Sequence, residues 1–135
     1  MEDISLRALR VLKEADLILC EDTRVTKKLL DKYEVKTKTR RLDAYKEGEL
    51  SKEVLSLFAE YKTIALVTDA GTPAISDPGY RFVAAVREAG IEVIAIPGPS
   101  ALVSALSVSG LPTDQFVFLG FLPHKKGRET LFEEI

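Results

Sequence analysis

Three short apolar runs, each separated from the next by stretches with helical spacing, constrain the fold of this chain most. The runs are DLILC at 16–20, TIALVT at 63–68 and IEVIAI at 91–96. Buried strands of parallel sheets are continuously apolar because helices cover both faces of the sheet. Parallel neighbours also need long crossover connections, which are usually helical. The alternation therefore predicts an α/β fold with a parallel sheet flanked by helices.

The segments between these runs carry apolar residues at helical spacing. Helices are predicted within residues 3–15, 25–33, 49–61, 79–90 and 101–110, and a short edge strand is expected within 34–48. Asp3 is placed to cap the first helix. Gly90 is placed to end the fourth, in the position after a helix that favours a left-handed backbone.

The last segment, GLPTDQFVFLGFLPHKKGRETLFEEI at 110–135, breaks this rhythm. A Gly-Leu-Pro-Thr turn leads to a new strand, QFVFLGFL at 115–122, which is followed by a basic loop and the beginning of a helix. We interpret residues 1–112 as an N-terminal α/β domain that binds cofactor and substrate. Residues 113–135 are then a linker and the first strand of a second, mixed α/β domain. The alternative is an edge strand added to the first sheet.

Composition excludes several classes of protein. The net charge of −2 over 135 residues argues against a generally basic nucleic-acid coat, so any RNA contact must be regional. Cys20 is the single cysteine, which excludes an intrachain disulfide and a cysteine-based zinc cluster. His124 is the single histidine and cannot form a histidine metal site by itself. We expect Cys20 to be a small core residue. No apolar stretch approaches a membrane span and the start is too acidic for a signal peptide, so a cytoplasmic location is expected.

Three unusual loops follow the predicted strands: EDTR at 21–24, DAGTPAISDPG at 69–79 and PGPSA at 97–101. In open parallel sheets, ligands bind at the carboxyl ends of the strands, where helix N-termini also present free N–H groups. Three specialised loops on one edge favour a ligand site over a set of structural turns.

The glycine patterns of dinucleotide-binding and phosphate-binding loops are both absent, which favours a cofactor held by backbone groups and hydroxyls rather than through phosphates. The candidate cofactor-binding residues are Asp69, Ala70, Gly71, Thr72, Ile75, Ser100 and Ala101. Ala70, Gly71 and Thr72 would let the main chain approach a ligand, and Ile75 offers an apolar wall. Asp69 and Asp77 are candidate acceptors for a ribose or an amine, although Asp77 is equally suited to a turn or a helix cap.

The substrate side of the site is expected at the neighbouring strand end. Glu21, Asp22 and Arg24 are the candidate catalytic residues because they lie on the same rim. In the alternative, Asp22 caps the following helix and Arg24 pairs with Glu21. Basic residues that are candidates for phosphate contacts, or else ordinary surface charges, are Lys125, Lys126 and Arg128, with Arg40 and Arg41.

Four segments together resemble a known family: EDISLRALRVLKEADLILCEDTRVTKKLL, DAGTPAISDPGY, IPGPSA and SGLPTDQFVFLGFLP. They are similar to the small-subunit rRNA 2′-O-ribose methyltransferases, a branch of the tetrapyrrole methylase superfamily, over almost the whole chain. The resemblance implies S-adenosylmethionine in a cleft between two domains, a homodimer, and methylation of a cytidine ribose in small-subunit rRNA. The cofactor contacts that it implies fall on Ala70, Gly71, Thr72, Ile75, Ser100 and Ala101.

The chain departs from this family at both ends. Family members begin with a strand that ends in a Gly-Asn-Leu turn, and they continue well past the equivalent of residue 135. We therefore expect the 135-residue chain alone to be inactive and to cover its incomplete sheet against a second copy through 115–122. Two alternatives remain: a methylase of a small tetrapyrrole, which CEDTR and HKKGR disfavour, and a non-catalytic α/β ligand-binding domain.

Overall fold

The computed structural model describes residues 2–42, 49–77, 79–123 and 128–134. Within these ranges, three strands pair in parallel in the order β2-β1-β3. The elements in chain order are α1 (Leu6–Glu14), β1 (Leu17–Cys20), α2 (Thr23–Lys32), β2 (Thr39–Arg41), α3 (Glu49–Glu60), β3 (Ile64–Val67), α4 (Tyr80–Glu88), α5 (Ala101–Val108) and α6 (Arg128–Glu134). The predicted α/β class is confirmed, and so is the edge strand expected within 34–48.

The core lies on both faces of the central strand β1, whose four residues are all buried. Successive side chains of a strand point to opposite faces. Leu17 and Leu19 accordingly pack in one apolar cluster with residues of α3 and α4, whereas Ile18 packs in a second cluster with residues of α1 and α2. Helices therefore cover both sides of the sheet, as its continuous apolar strands predict.

Side-chain and backbone caps fix two of the helix ends. The Ser5 hydroxyl oxygen accepts a hydrogen bond from the Ala8 N–H at 3.1 Å, so Ser5 is the N-cap of α1 and the prediction of Asp3 is wrong. The N-cap is the residue directly before the helix, and α1 begins at Leu6, so Ser5 and not Asp3 occupies that position. Gly90 has φ +73°, and the Ile91 N–H donates to the Val86 carbonyl at 3.1 Å, which confirms the predicted end of α4.

The amino ends of β1 and β3 are joined by Asp16. Its Oδ2 accepts hydrogen bonds from the backbone N–H groups of Lys62 at 3.0 Å and Thr63 at 2.9 Å. The Asp16 N–H in turn donates to the Thr63 carbonyl at 2.9 Å. This contact fixes where β3 enters the sheet.

Two predicted strands are absent from the structure. Residues 91–96 and 115–122 are described but form no ladder, and Ile94 and Val117 are 68% and 79% exposed. An apolar run gives strand propensity, but a strand also needs a neighbour for its N–H and C=O groups. The prediction of strands in these two segments is therefore wrong for this structure.

The described chain divides into two compact units, residues 1–101 and 102–135. The first contains the whole sheet with α1 to α4, and the second contains most of α5 and all of α6. The domain boundary expected after residue 112 stays a prediction. Among the helices in the described ranges, none has the length and apolarity needed to cross a bilayer.

Candidate functional site

The first two of the three unusual loops meet at the carboxyl end of the sheet. Cys20 pairs with Val67, so Glu21 and Thr68 leave the sheet side by side. The Thr68 hydroxyl donates to Glu21 Oε2 at 2.9 Å, and the Asp69 N–H donates to the same oxygen at 3.4 Å. The Asp22 N–H donates in the other direction, to Asp69 Oδ1 at 3.3 Å. These contacts join EDTR to the start of DAGTPAISDPG, as expected for loops that follow parallel strands.

Asp22 and Arg24 form a local pair at the start of α2. Asp22 is the N-cap, and its Oδ1 accepts from the Arg24 N–H at 2.8 Å. The Arg24 guanidinium binds the same carboxylate, with Nη2 2.6 Å from Oδ2. The side-chain and backbone hydrogen bonds from Arg24 hold the pKa of Asp22 well below its usual range. The capping alternative for Asp22 is confirmed, whereas the expected pairing of Arg24 with Glu21 is wrong.

The second loop has an unusual backbone. Gly71 and Gly79 have φ of +73° and +111°, and the non-glycine residues Ala74 and Ser76 have φ of +72° and +52°. Positive φ is uncommon outside glycine and costs free energy, so the surrounding structure must hold these residues in place. The loop therefore has a defined backbone that its surroundings hold, rather than being a loose connection.

The surface of this loop is open to a ligand. Residues 69–72 are exposed, and the apolar side chain of Ile75 is 57% exposed. Asp77 faces Gly71, since a Cβ built on Gly71 would lie 3.7 Å from Asp77 Oδ2. The helix-cap alternative for Asp77 is wrong, because the N-cap of α4 is Gly79, which makes no side-chain cap bond.

The third loop is held through a different neighbour. The Ser5 hydroxyl donates to the Pro97 carbonyl at 3.1 Å, which ties this loop to the start of α1. Ala101 is the first residue of α5, as expected for a loop that opens a helix. The prediction that Ser100 and Ala101 share one ligand with residues 70–72 stays a prediction.

A family model described as Tetrapyrrole (Corrin/Porphyrin) Methylases matches residues 1–135. The chain belongs to this family. The fold agrees with this family. The solved structure of a cobalt precorrin-4 methyltransferase, a cobalamin biosynthetic enzyme, superposes on the chain with a TM-score of 0.58 and 19% sequence identity. The match covers 80% of this chain and 45% of that enzyme's chain.

Closer relatives come from bacteria and carry the name Ribosomal RNA small subunit methyltransferase I. The relative from Thermotoga maritima is 49% identical over 135 residues, which is 100% of this chain and 61% of the relative. The relative from Halalkalibacterium halodurans is 50% identical over 135 residues, which is 99% of this chain and 47% of the relative. The chain thus spans about half the length of the curated relatives that it matches.

The resemblance to rRNA methylases implies S-adenosylmethionine as the cofactor, and the residues of the first two loops fit this molecule. Glu21, Asp22 and Asp69 place three carboxylates near the guanidinium of Arg24, so these two loops carry a net negative charge. S-adenosylmethionine carries a cationic sulfonium, an ammonium group and ribose hydroxyl donors, all of which suit carboxylate acceptors. The exposed main chain of residues 70–72 and the side chain of Ile75 supply backbone and apolar contacts. Over the described ranges, no group of three or more His, Cys, Asp or Glu side chains is arranged so that it could hold a metal ion.

Cys20 lies directly beneath this rim and is buried. Its side chain is fully buried, and its Sγ lies 3.5 Å from the Arg40 carbonyl oxygen. Burial raises the pKa of the thiol, and a weaker hydrogen bond from Thr26 opposes that effect. The prediction that Cys20 is a core residue is confirmed.

The candidate basic residues are only partly placed. Lys125 and Lys126 lie outside the described residues, and Arg128 is the exposed first residue of α6. Arg40 pairs with Glu53 at 2.5 Å, so its charge is already partnered.

Sequence reasoning missed one site residue, Thr68, whose hydroxyl bonds to Glu21. The available signal was its place as the last residue of TIALVT, immediately before the loop.

Proposed function

We propose that the complete protein methylates the 2′-hydroxyl of a cytidine ribose in small-subunit rRNA, with S-adenosylmethionine as the methyl donor. The observation that carries this proposal is the 49% identity, over all 135 residues, to a relative named as a small-subunit rRNA methyltransferase. The net negative charge and exposed backbone of the first two loops support a methyl donor of this chemistry.

Each candidate cofactor residue is assigned a contact. Main-chain groups of Ala70, Gly71 and Thr72 lie against the cofactor, Ile75 packs on its apolar part, and Asp69 accepts from its donors. Ser100 and Ala101 complete the site at the start of α5. When bound, S-adenosylmethionine supplies the methyl group of its sulfonium.

On the substrate side, positioning supplies much of the rate. A ribose hydroxyl is a poor nucleophile and must be held in line at roughly 3 Å from the methyl carbon. Asp22 is a weak proton acceptor because its pKa is lowered by Arg24, so we assign it to orienting Arg24. The side chain of Arg24 is 88% exposed and is assigned to an RNA phosphate. Glu21 is the third residue that we assign to the substrate side of the site.

Lys125, Lys126 and Arg128 contact RNA phosphates without reading sequence. The protein acts in the cytoplasm as a homodimer, and residues 1–112 and 113–135 belong to two domains.

A second candidate function is methylation of a small tetrapyrrole. The family description and the fold shared with a cobalt precorrin-4 methyltransferase favour it. Identity to that enzyme is 19%, against 49% to the rRNA methyltransferase of Thermotoga maritima. The rRNA substrate is therefore preferred.

The proposal is tested by methyl transfer from labelled S-adenosylmethionine, with the complete protein and small ribosomal subunits. We expect the label in 2′-O-methylcytidine after the rRNA is digested to nucleosides. A porphyrinoid acceptor is assayed in parallel, and label there but not in rRNA would establish the second candidate. Cofactor binding by calorimetry with transfer to neither acceptor would indicate a ligand-binding domain instead.

A further inference from the structure

We propose that Glu21 is a positioning residue whose carboxylate fixes the start of the cofactor loop, residues 69–77. The inference rests on the proposed function, because it assigns this loop to S-adenosylmethionine. In this role Glu21 does not remove the proton of the substrate hydroxyl.

The geometry of the rim carries this assignment. The Thr68 hydroxyl at 2.9 Å and the Asp69 N–H at 3.4 Å both donate to one oxygen, Oε2 of Glu21. Thr68 is half-buried, so this contact is partly shielded from water. The two donors are the last residue before the loop and its first residue. Glu21 therefore determines where the loop leaves the sheet.

A second contact makes the arrangement reciprocal. Asp69, held by Glu21 through its backbone, accepts the Asp22 N–H through its carboxylate at 3.3 Å. The loop that we assign to the cofactor is thus bound to the segment that carries Asp22 and Arg24. Displacement of the Glu21 carboxylate would loosen both the cofactor loop and the segment that carries Asp22 and Arg24.

Both donors bond to one oxygen of Glu21, and this allows a positioning role to be distinguished from that of a base. Glutamine retains one carbonyl-type acceptor at this place but does not take up a proton from a hydroxyl at neutral pH. If Glu21 positions the loop, Glu21→Gln preserves most of the function that Glu21→Ala removes. If Glu21 is the base, both variants fail alike.

Asp16 provides a matched control at the opposite end of β3. Its Oδ2 likewise accepts two donors, the N–H groups of Lys62 and Thr63, at 3.0 and 2.9 Å. Asp16→Ala therefore removes a similar pair of hydrogen bonds between the same strands, away from the candidate site.

The experiment measures S-adenosylmethionine affinity by calorimetry, and KM and kcat by methyl transfer, in the full-length protein. We expect Glu21→Ala to weaken cofactor affinity roughly tenfold, since the two hydrogen bonds that hold the start of the loop are lost. Glu21→Gln should retain affinity to within about threefold, and Thr68→Val should fall between the two. Asp16→Ala should lower the Tm but leave cofactor affinity unchanged.

Amide hydrogen exchange in the cofactor-free protein tests the positioning step separately from the proposed function. Exchange at residues 69–77 should be faster in Glu21→Ala and close to wild type in Glu21→Gln. Equal damage by the two Glu21 variants, equal loss of affinity in Asp16→Ala, or unchanged exchange would each overturn the inference. Failure of the wild-type protein to bind S-adenosylmethionine would instead overturn the proposed function.

Discussion

At the level of single residues, two glycines with the same backbone conformation differ in their place relative to the candidate site. Gly71 and Gly90 both have φ +73°. Among the residues that the structure describes, a Cβ on Gly71 would meet only Asp77 Oδ2, at 3.7 Å, and one on Gly90 would meet nothing within 4 Å. Substitution by alanine at either position therefore acts through backbone strain rather than through a clash within the protein.

Gly71→Ala and Gly90→Ala should both lower the free energy of unfolding, by about 1–2 kcal/mol, because a left-handed backbone disfavours a Cβ. Only Gly71→Ala should also weaken S-adenosylmethionine binding, since only Gly71 lies in the assigned cofactor loop. Urea denaturation gives the stabilities, and calorimetry on the folded variants gives the affinities. Equal affinity in the two variants would contradict the assignment of this loop.

Among the elements, α2 links the candidate site to the folding of the domain. Its N-cap Asp22 lies on the rim, and the helix packs against the second core cluster through Leu30. The Arg24 hydrogen bonds lower the pKa of Asp22 in the folded protein. The contribution of this carboxylate to stability is therefore complete above its unfolded pKa, which is about 3.9, and is lost as the pH falls below it.

Asp22→Ala should lower the Tm at neutral pH, and the difference from wild type should shrink as the pH falls below about 4. Asp22→Ser should keep most of the Tm, because serine is also a good N-cap. Circular dichroism melts between pH 7 and pH 2.5 check both expectations. A difference that stayed constant over this range would show that the ionised cap does not stabilise α2.

At the scale of the whole molecule, apolar side chains are concentrated on one exposed segment. Within residues 115–122, Val117 is 79% exposed and Phe121 is 85% exposed. Contiguous exposed apolar surface of this kind usually marks an interface. The segment is the part of the chain that we expect to pair with a second copy.

We expect the 135-residue chain to associate with itself at micromolar concentration, because burial of this segment removes apolar surface from water. Phe121→Ser should shift the association toward monomer. Leu6→Ser is the matched control, since Leu6 is 86% exposed but lies on α1, outside the segment. Multi-angle light scattering over a concentration series measures the mass, and a monomer at all concentrations would refute the expectation.

Much of the fold was predictable because it depends on local spacing. The buried strand DLILC, the helices around it and the end of α4 at Gly90 follow from apolar periodicity and from the backbone freedom of glycine. The meeting of EDTR with the start of DAGTPAISDPG was also predictable, since the carboxyl ends of parallel strands share one edge.

What the sequence by itself determined is thus which segments are helical, that DLILC is a buried strand and that the loops after DLILC and TIALVT meet at the rim. Only the tertiary structure decided that Arg24 pairs with Asp22, that Thr68 bonds to Glu21 and that residues 91–96 join no ladder. Apolar periodicity depends only on the residues within one segment, so the sequence of that segment is enough to predict it. A specific hydrogen bond or strand pair requires a partner at the correct distance, and folding alone supplies that partner.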